Sequence, residues 1–350
     1  MALELALVTV SLVIILIAAE LFTNAVEWFG HRLGLAEGAV GSVLAAVGTA
    51  MPETMIPIIA ILVTGTEGGH EIGIGAILGA PFLLSTAAFA VTGLGVIFFA
   101  GRRANGKNMH LDSVVIGRDI GYFFIVYVFA IAASFLPVQE GKYAVAFVLL
   151  GLYALYVYRT FSHDSGSVEV HDEEELAGLK FHRWVGGKDS PPTLFIMLQF
   201  AAALGIMIAG ALLFVENLES VAHRLGVPAL PLALVIAPLA SELPEKFNSI
   251  IWVSQGKDTL AMGNISGAMV FQSCIPVAIG LLFTEWVLSE TALVSAAIAL
   301  GSTGIVYLSI KKRGYLSSFV LARAGFLWIG FVIYVVAKLL IEGSTDTAAH

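Results

Sequence analysis

Apolar runs of about twenty residues or more, separated by short polar connectors, dominate the chain. A membrane-crossing helix needs roughly 20 mostly apolar residues. About ten segments satisfy this, near 3–28, 38–64, 72–100, 113–135, 142–160, 192–215, 229–254, 259–284, 289–310 and 316–341. The polar exceptions inside the runs are the informative positions. The stretch "GTAMPETMIP", residues 48–57, places Glu53 directly after a proline in the middle of the second run.

Composition turns this pattern into a class. Hydrophobic residues make up 58% of the 350 residues and charged residues 13%, and the mean hydropathy is +0.90. A soluble core does not need that much apolar sequence, so the expectation is an all-α polytopic membrane protein whose partner is the lipid bilayer. The start, "MALELALVTV", carries Glu4 and no basic segment, which reads as a retained span. The single Cys274 excludes an intrachain disulfide framework. The net charge of -8 gives little information about partners, because much of the acid lies in one connector; nothing points to nucleic acid.

Basic residues orient the chain. Arg102, Arg103 and Lys107 follow the third span, Lys180, Arg183 and Lys188 the fifth, and Lys311, Lys312 and Arg313 the ninth. The connectors after the second and eighth spans hold Glu67, Glu71, Glu285 and Glu290 with no Lys or Arg. Both termini are therefore expected outside the cytoplasm, in a plasma or inner membrane.

An internal repeat organises the spans. "LFTNAVEWFGHRLGLAEGAVGSVLAAVGTAMPETMIPIIAI" from Leu21 aligns without a gap to "LFVENLESVAHRLGVPALPLALVIAPLASELPEKFNSIIWV" from Leu213, bringing Pro52-Glu53 onto Pro244-Glu245. "GAILGAPFL" from Gly75 then matches "GNISGAMVF" from Gly263. Each copy holds about five spans, an odd number, so the copies enter the membrane from opposite sides. The expected architecture is two inverted five-helix repeats, residues 1–160 and 191–342, joined by an acidic cytoplasmic linker at 161–190 and followed by a tail at 343–350. Such repeats build many secondary transporters, with the substrate site near the midplane where the halves meet.

The paired motifs carry the candidate chemistry. Pro52, Pro57, Pro238 and Pro244 remove backbone donors and are expected to kink or interrupt their helices, leaving carbonyls free for an ion. A carboxylate inside the membrane costs about 3 kcal/mol on insertion scales, so it needs a partner. Glu53 and Glu245, with hydroxyls at Thr49 and Ser241 one turn upstream, make an all-oxygen site for a hard cation, and two negative charges favour a divalent one.

These paired stretches resemble the cation/calcium exchanger superfamily, whose repeats read like G-T-S-x-P-E followed by G-N-x-x-G-S-N. The resemblance covers both halves. It implies a ten-helix fold, sodium- or proton-driven exchange of calcium by alternating access, and ligation by Glu53, Glu245, Thr49, Ser241 and Asn264. The chain also departs from the pattern. Ala76 stands where the first repeat's amide is expected, and Gly79-Ala80-Pro81 and Gly267-Ala268-Met269 replace the two Gly-Ser-Asn triplets. Glu242 replaces a small hydroxyl and enters the candidate metal set, and Lys246 follows Glu245. Lys246 either supplies a built-in cation or proton carrier, or neutralises Glu242 four residues away.

The resulting expectation is a secondary antiporter exchanging a divalent cation, calcium first, for sodium, with no cofactor beyond the transported cations. Proton coupling through Glu242 or Lys246 is the alternative, and a cation channel or a transport-inactive scaffold the readings from other classes. An enzyme is disfavoured because no H-E-x-x-H or comparable constellation occurs. Glu20, Asn24 and Glu27 share one helix face but read as solvated acids near a helix end, and Arg118 with Asp119 as a structural pair. The linker's His163, Asp164 and His171 to Glu175 match no known metal spacing and read as solvated.

Overall fold

A computed structural model describes residues 1–32, 51–163, 178–186 and 190–347. The elements are α1 (Ala2–Arg32), α2 (Met51–Ile58, continued by a π-helical turn at Ile59–Thr64), α3 (Glu67–Phe98, with a π segment at Leu84–Ala88), α4 (Ser113–Ala133) and α5 (Gln139–His163). The short α6 (Lys180–Trp184) precedes α7 (Thr193–Leu225), α8 (Ala229–Ser254), α9 (Asp258–Phe283), α10 (Glu290–Arg313) and α11 (Ser318–Thr347). One two-residue ladder, β1 (Asn108–Met109) with β2 (Leu316–Ser317), is antiparallel.

Local chemistry places the helix ends. Thr66 caps α3 by accepting from the Gly69 amide at 2.9 Å, and Asp112 caps α4 through the Val114 and Val115 amides at 2.8 and 3.2 Å. Gly226 ends α7 and Gly314 ends α10 in the left-handed conformation, with φ of 66° and 71°. Pro192 and Pro228 immediately precede α7 and α8, where a missing amide costs no helical bond.

Eight described helices are long and apolar enough to cross a membrane, and two shorter apolar stretches lie at Glu53–Thr64 and Ala229–Leu239. Those two are the Pro-Glu segments. The first is short because residues 38–50 of its expected span lie outside the described residues. The second is the first part of α8, whose backbone continues as helix to Ser254. The fold is thus an all-α membrane bundle of two inverted repeats. α3 and its twin α9 are the most buried spans, whereas α11 is the least buried and turns Phe326, Ile333 and Leu340 outward. In a bilayer such apolar surface meets lipid rather than water.

The connectors segregate onto two faces. On one, β1 pairs with β2, Arg103 forms an ion pair with Asp258 at 2.7 Å, and Lys180 reaches Glu20 at 2.8 Å. The β1–β2 ladder joins the connectors after the third and ninth spans, the Arg103–Asp258 pair ties the first of these to the start of α9, and Lys180 ties the segment before α7 to α1. On the opposite face Arg224 pairs with Glu4 at 2.7 Å, Gln139 donates to the Leu281 and Thr284 carbonyls, and Lys338 pairs with Glu290.

Candidate cation-binding site

The two repeats meet where α2, α3 and α8 converge. Glu53, in the first turn of α2, is buried at 6% exposure, and Ser241 of α8 at 3%. Both line a small cavity with Ile56, Ala76, Ala80, Ala237 and Pro238, offering about 10 Å³ to the centre of a water-sized particle. That is about the room one water needs. A carboxylate and a hydroxyl from opposite repeats therefore face a space of single-ion size. Ser241 Oγ donates to the Ala237 carbonyl at 3.2 Å and keeps its lone pairs available.

Glycine makes this convergence possible. A Cβ on Gly75 would lie 2.6 Å from the Leu230 carbonyl oxygen, and one on Gly79 would lie 2.2 Å from the Leu234 carbonyl oxygen and 2.6 Å from Pro238 Cγ. The four-residue spacing puts both glycines on the α3 face that touches α8, the small-residue logic of close helix pairs in membranes. Pro238 has no amide to offer Leu234, so the carbonyl that Gly79 approaches has lost its helical donor.

Of the two outcomes expected at the prolines, a kink or an interruption, the second does not occur in α8, which runs as one helix through Pro238 and Pro244. One lost hydrogen bond per proline is tolerated where protein packs around the backbone. In the first repeat, α2 passes into the π-helical turn at Ile59–Thr64 two residues after Pro57; such wide turns often mark functional sites.

The remaining candidates divide. Glu242 is fully buried at 1% exposure, but it faces α9, where Gln272 Nε2 donates to it at 3.2 Å, and it is not among the residues lining the cavity. Asn264 is half-buried on α9 and likewise outside the described lining. Its twin Ala76 does line the cavity. Thr49 lies outside the described residues, as do the side chains of Glu245 and Lys246; the backbone places Glu245 one turn beyond Ser241 on α8. Asn24 and Glu20 do not approach the site. Asn24 accepts from Gln199 Nε2 at 2.9 Å and from the Lys180 amide at 3.2 Å, which ties the segment before α7 to α1.

A larger cavity of about 1170 Å³ opens on the face that carries the N-terminus, lined by Glu67, His70, Glu71, Tyr143, Glu285 and Ser289 among others. Its described lining contains three carboxylates, Glu67, Glu71 and Glu285, and no Lys or Arg, which favours cations. Glu71 has a further role that sequence reasoning missed. Its Oε2 accepts from the Ala229 and Leu230 amides at 2.6 and 3.3 Å, capping the N-terminus of α8 from the other repeat. No local signal could reveal this, because the partners are 158 residues apart.

Comparison with known proteins gives the family and the fold. A family model described as "Sodium/calcium exchanger protein" matches residues 3–162 and 195–339. The chain is 23% identical over 287 residues to "Inner membrane protein YrbG" of Escherichia coli (strain K12), covering 81% of each. The crystal structure of the "H+/Ca2+ Exchanger CAX" superimposes with a TM-score of 0.68 at 18% identity, covering 99% of this chain and 89% of that one. A structure of "the sodium-calcium exchanger NCX_Mj" gives 0.52 at 18% identity, covering 97% and 99%. At such identity these two structures establish a shared fold. With the family model spanning both repeats, the chain belongs to the sodium/calcium exchanger protein family.

Proposed function

We propose that this chain, a cation antiporter by its family, exchanges calcium against sodium by alternating access, with the ion held between the repeats by Glu53, Glu245 and Ser241. The observation that carries the reading is the burial of Glu53 beside Ser241 in an ion-sized cavity to which both repeats contribute. Oxygen-only ligands suit a hard cation, and two carboxylates match a divalent charge. Thr49 and Asn264 complete the set in this reading, drawn in as the site alternates between the faces. The acidic cavity around Glu67, Glu71 and Glu285 is the outward vestibule, because the Lys- and Arg-rich connectors on the opposite face belong in the cytoplasm. The protein then lies in a plasma or inner membrane with both termini outside the cytoplasm. The two halves span 1–160 and 191–342.

The test is calcium binding to purified protein, with Glu53→Gln and Glu245→Gln as variants. Each substitution keeps the size of the side chain and removes its charge. Saturable binding lost in both supports the reading, and binding unchanged in either removes that residue from the site. Proton coupling is the second reading, favoured by one observation: Glu242 is a fully buried carboxylate within the bundle, bonded to the neutral amide of Gln272 and set off the cavity. A group so placed can carry a proton with Lys246 while calcium occupies the cavity. Calcium uptake driven by a pH gradient without sodium, and lost in Glu242→Gln, selects this reading; flux that needs no counter-ion selects a channel.

A further inference from the structure

Asp119 of α4 is 2% exposed and lies away from the cavity. Its Oδ2 accepts from Ser266 Oγ of α9 at 2.8 Å, and its Oδ1 accepts from Tyr156 of α5 at 3.0 Å. Arg118 Nε stands 3.5 Å from Oδ1 and its guanidinium lies 5.9 Å from the centre of the Tyr156 ring. A carboxylate of the first repeat thus grips a helix of the second through a charge-assisted hydrogen bond. Such bonds are about twice as strong as neutral ones.

The twin interface is built differently. There α3 is held to α10 by Ser302 Oγ donating to the Ser85 carbonyl at 2.5 Å, a bond between two neutral groups. The asymmetry follows that of the site itself. α9, held by the charge, carries Asn264 two positions before Ser266, whereas α3 carries Ala76 at the matching place. A side chain that ligates an ion needs its helix fixed in rotation and height, and an alanine does not.

We propose that Asp119 is a positioning residue for ion binding, acting through Ser266 to hold α9 in the register from which Asn264 is drawn to the cation as the site alternates. This rests on the reading of Asn264 and Glu53 as members of one ion site. Direct hydrogen-bond partners of metal ligands carry about 10–100-fold in affinity, and Asp119 and Ser266, which hold the helix and not Asn264 itself, fall at the low end of that range. Asp119→Asn and Ser266→Ala should each raise the calcium concentration for half-maximal uptake by about tenfold or more. The maximal rate per folded transporter should change by less than about twofold, since the ligands themselves remain. Because the two residues act through one bond, the double variant should be no worse than the poorer single one, and Ser266→Thr, which keeps the hydroxyl, should restore affinity.

The experiment is calcium uptake into proteoliposomes over a range of calcium concentrations, normalised to folded protein and run beside Glu53→Gln. If Asp119→Asn does not fold, Ser266→Ala and Ser266→Thr carry the test, since both leave the carboxylate and Arg118 in place. An unmoved half-saturation, or effects of the two single variants that multiply in the double, overturns the proposal. Should Glu53→Gln itself transport with normal affinity, the ion-site reading fails. If Glu53→Gln is inactive and half-saturation stays unmoved at Asp119 and Ser266, only the positioning role fails.

Discussion

Replacing Gly79 with alanine should damage transport more than its single added methyl suggests. The new carbon would lie 2.2 Å from the Leu234 carbonyl oxygen and 2.6 Å from Pro238 Cγ. Carbon and oxygen approach no closer than about 3.3 Å even in weak hydrogen-bonded contacts, so α3 and α8 must separate by about 1 Å. The obstacle is backbone and a proline ring, neither of which can rotate away. Overpacking of this kind costs about 1–3 kcal/mol, occasionally more. The displaced elements carry Ala76, Ala80 and Ser241 around the cavity, and a 1 Å misplacement at a reacting centre can cost on the order of 100-fold in rate. Gly301→Ala is the control. Gly301 is exposed on α10, and a Cβ there meets nothing within 4 Å among the described residues. Calcium uptake and thermal unfolding in detergent, measured side by side, decide the matter: Gly79→Ala should lose at least tenfold in uptake and Gly301→Ala essentially none. Normal uptake and stability in Gly79→Ala would refute the close helix contact as the frame of the site.

The other expectations concern stability and coupling. Arg103→Ala leaves Asp258 buried, with side chains 1% and 2% exposed in the intact pair; breaking a buried pair costs about 3–5 kcal/mol, readable as a large drop in the midpoint of unfolding. Glu71→Ala removes the cap on two α8 amides. It should destabilise by about 0.5–2 kcal/mol, as lost helix caps do, with a weaker effect for Glu71→Gln, which retains an acceptor. Glu242→Gln should leave sodium-driven calcium uptake intact, because Glu242 faces Gln272 and not the cavity; loss of sodium-driven uptake in a folded variant would place it among the ligands.

The parts of this molecule legible in its sequence are those encoded by local pattern or by repetition. Apolar length set the spans, the gapless match from Leu21 to Leu213 set the inverted repeats, and Pro52-Glu53 marked the helix that lines the cavity. What pattern could not show was pairing between distant residues. Glu71 capping α8, Arg103 meeting Asp258 and Asp119 gripping Ser266 each join residues about 150 positions apart. Composition contains nothing to connect them. Proline allows either a kink or an interruption, and sequence cannot choose between them; α8 absorbs two prolines without interruption. Adjacency in sequence groups Glu242 with Ser241, but helical rotation separates the two, so that Ser241 lines the cavity and Glu242 meets Gln272 of α9. Gly75 and Gly79 were visible only as motif letters until their contacts with Leu230 and Leu234 gave them a reason.

The account depends most on coupled calcium transport through the paired glutamates. Purified protein in sealed proteoliposomes, loaded with sodium and diluted into sodium-free medium containing calcium, should accumulate calcium against its gradient. Glu53→Gln and Glu245→Gln should each abolish that uptake. Accumulation that persists in both variants, or its absence from folded wild-type protein under sodium and pH gradients alike, would contradict the account.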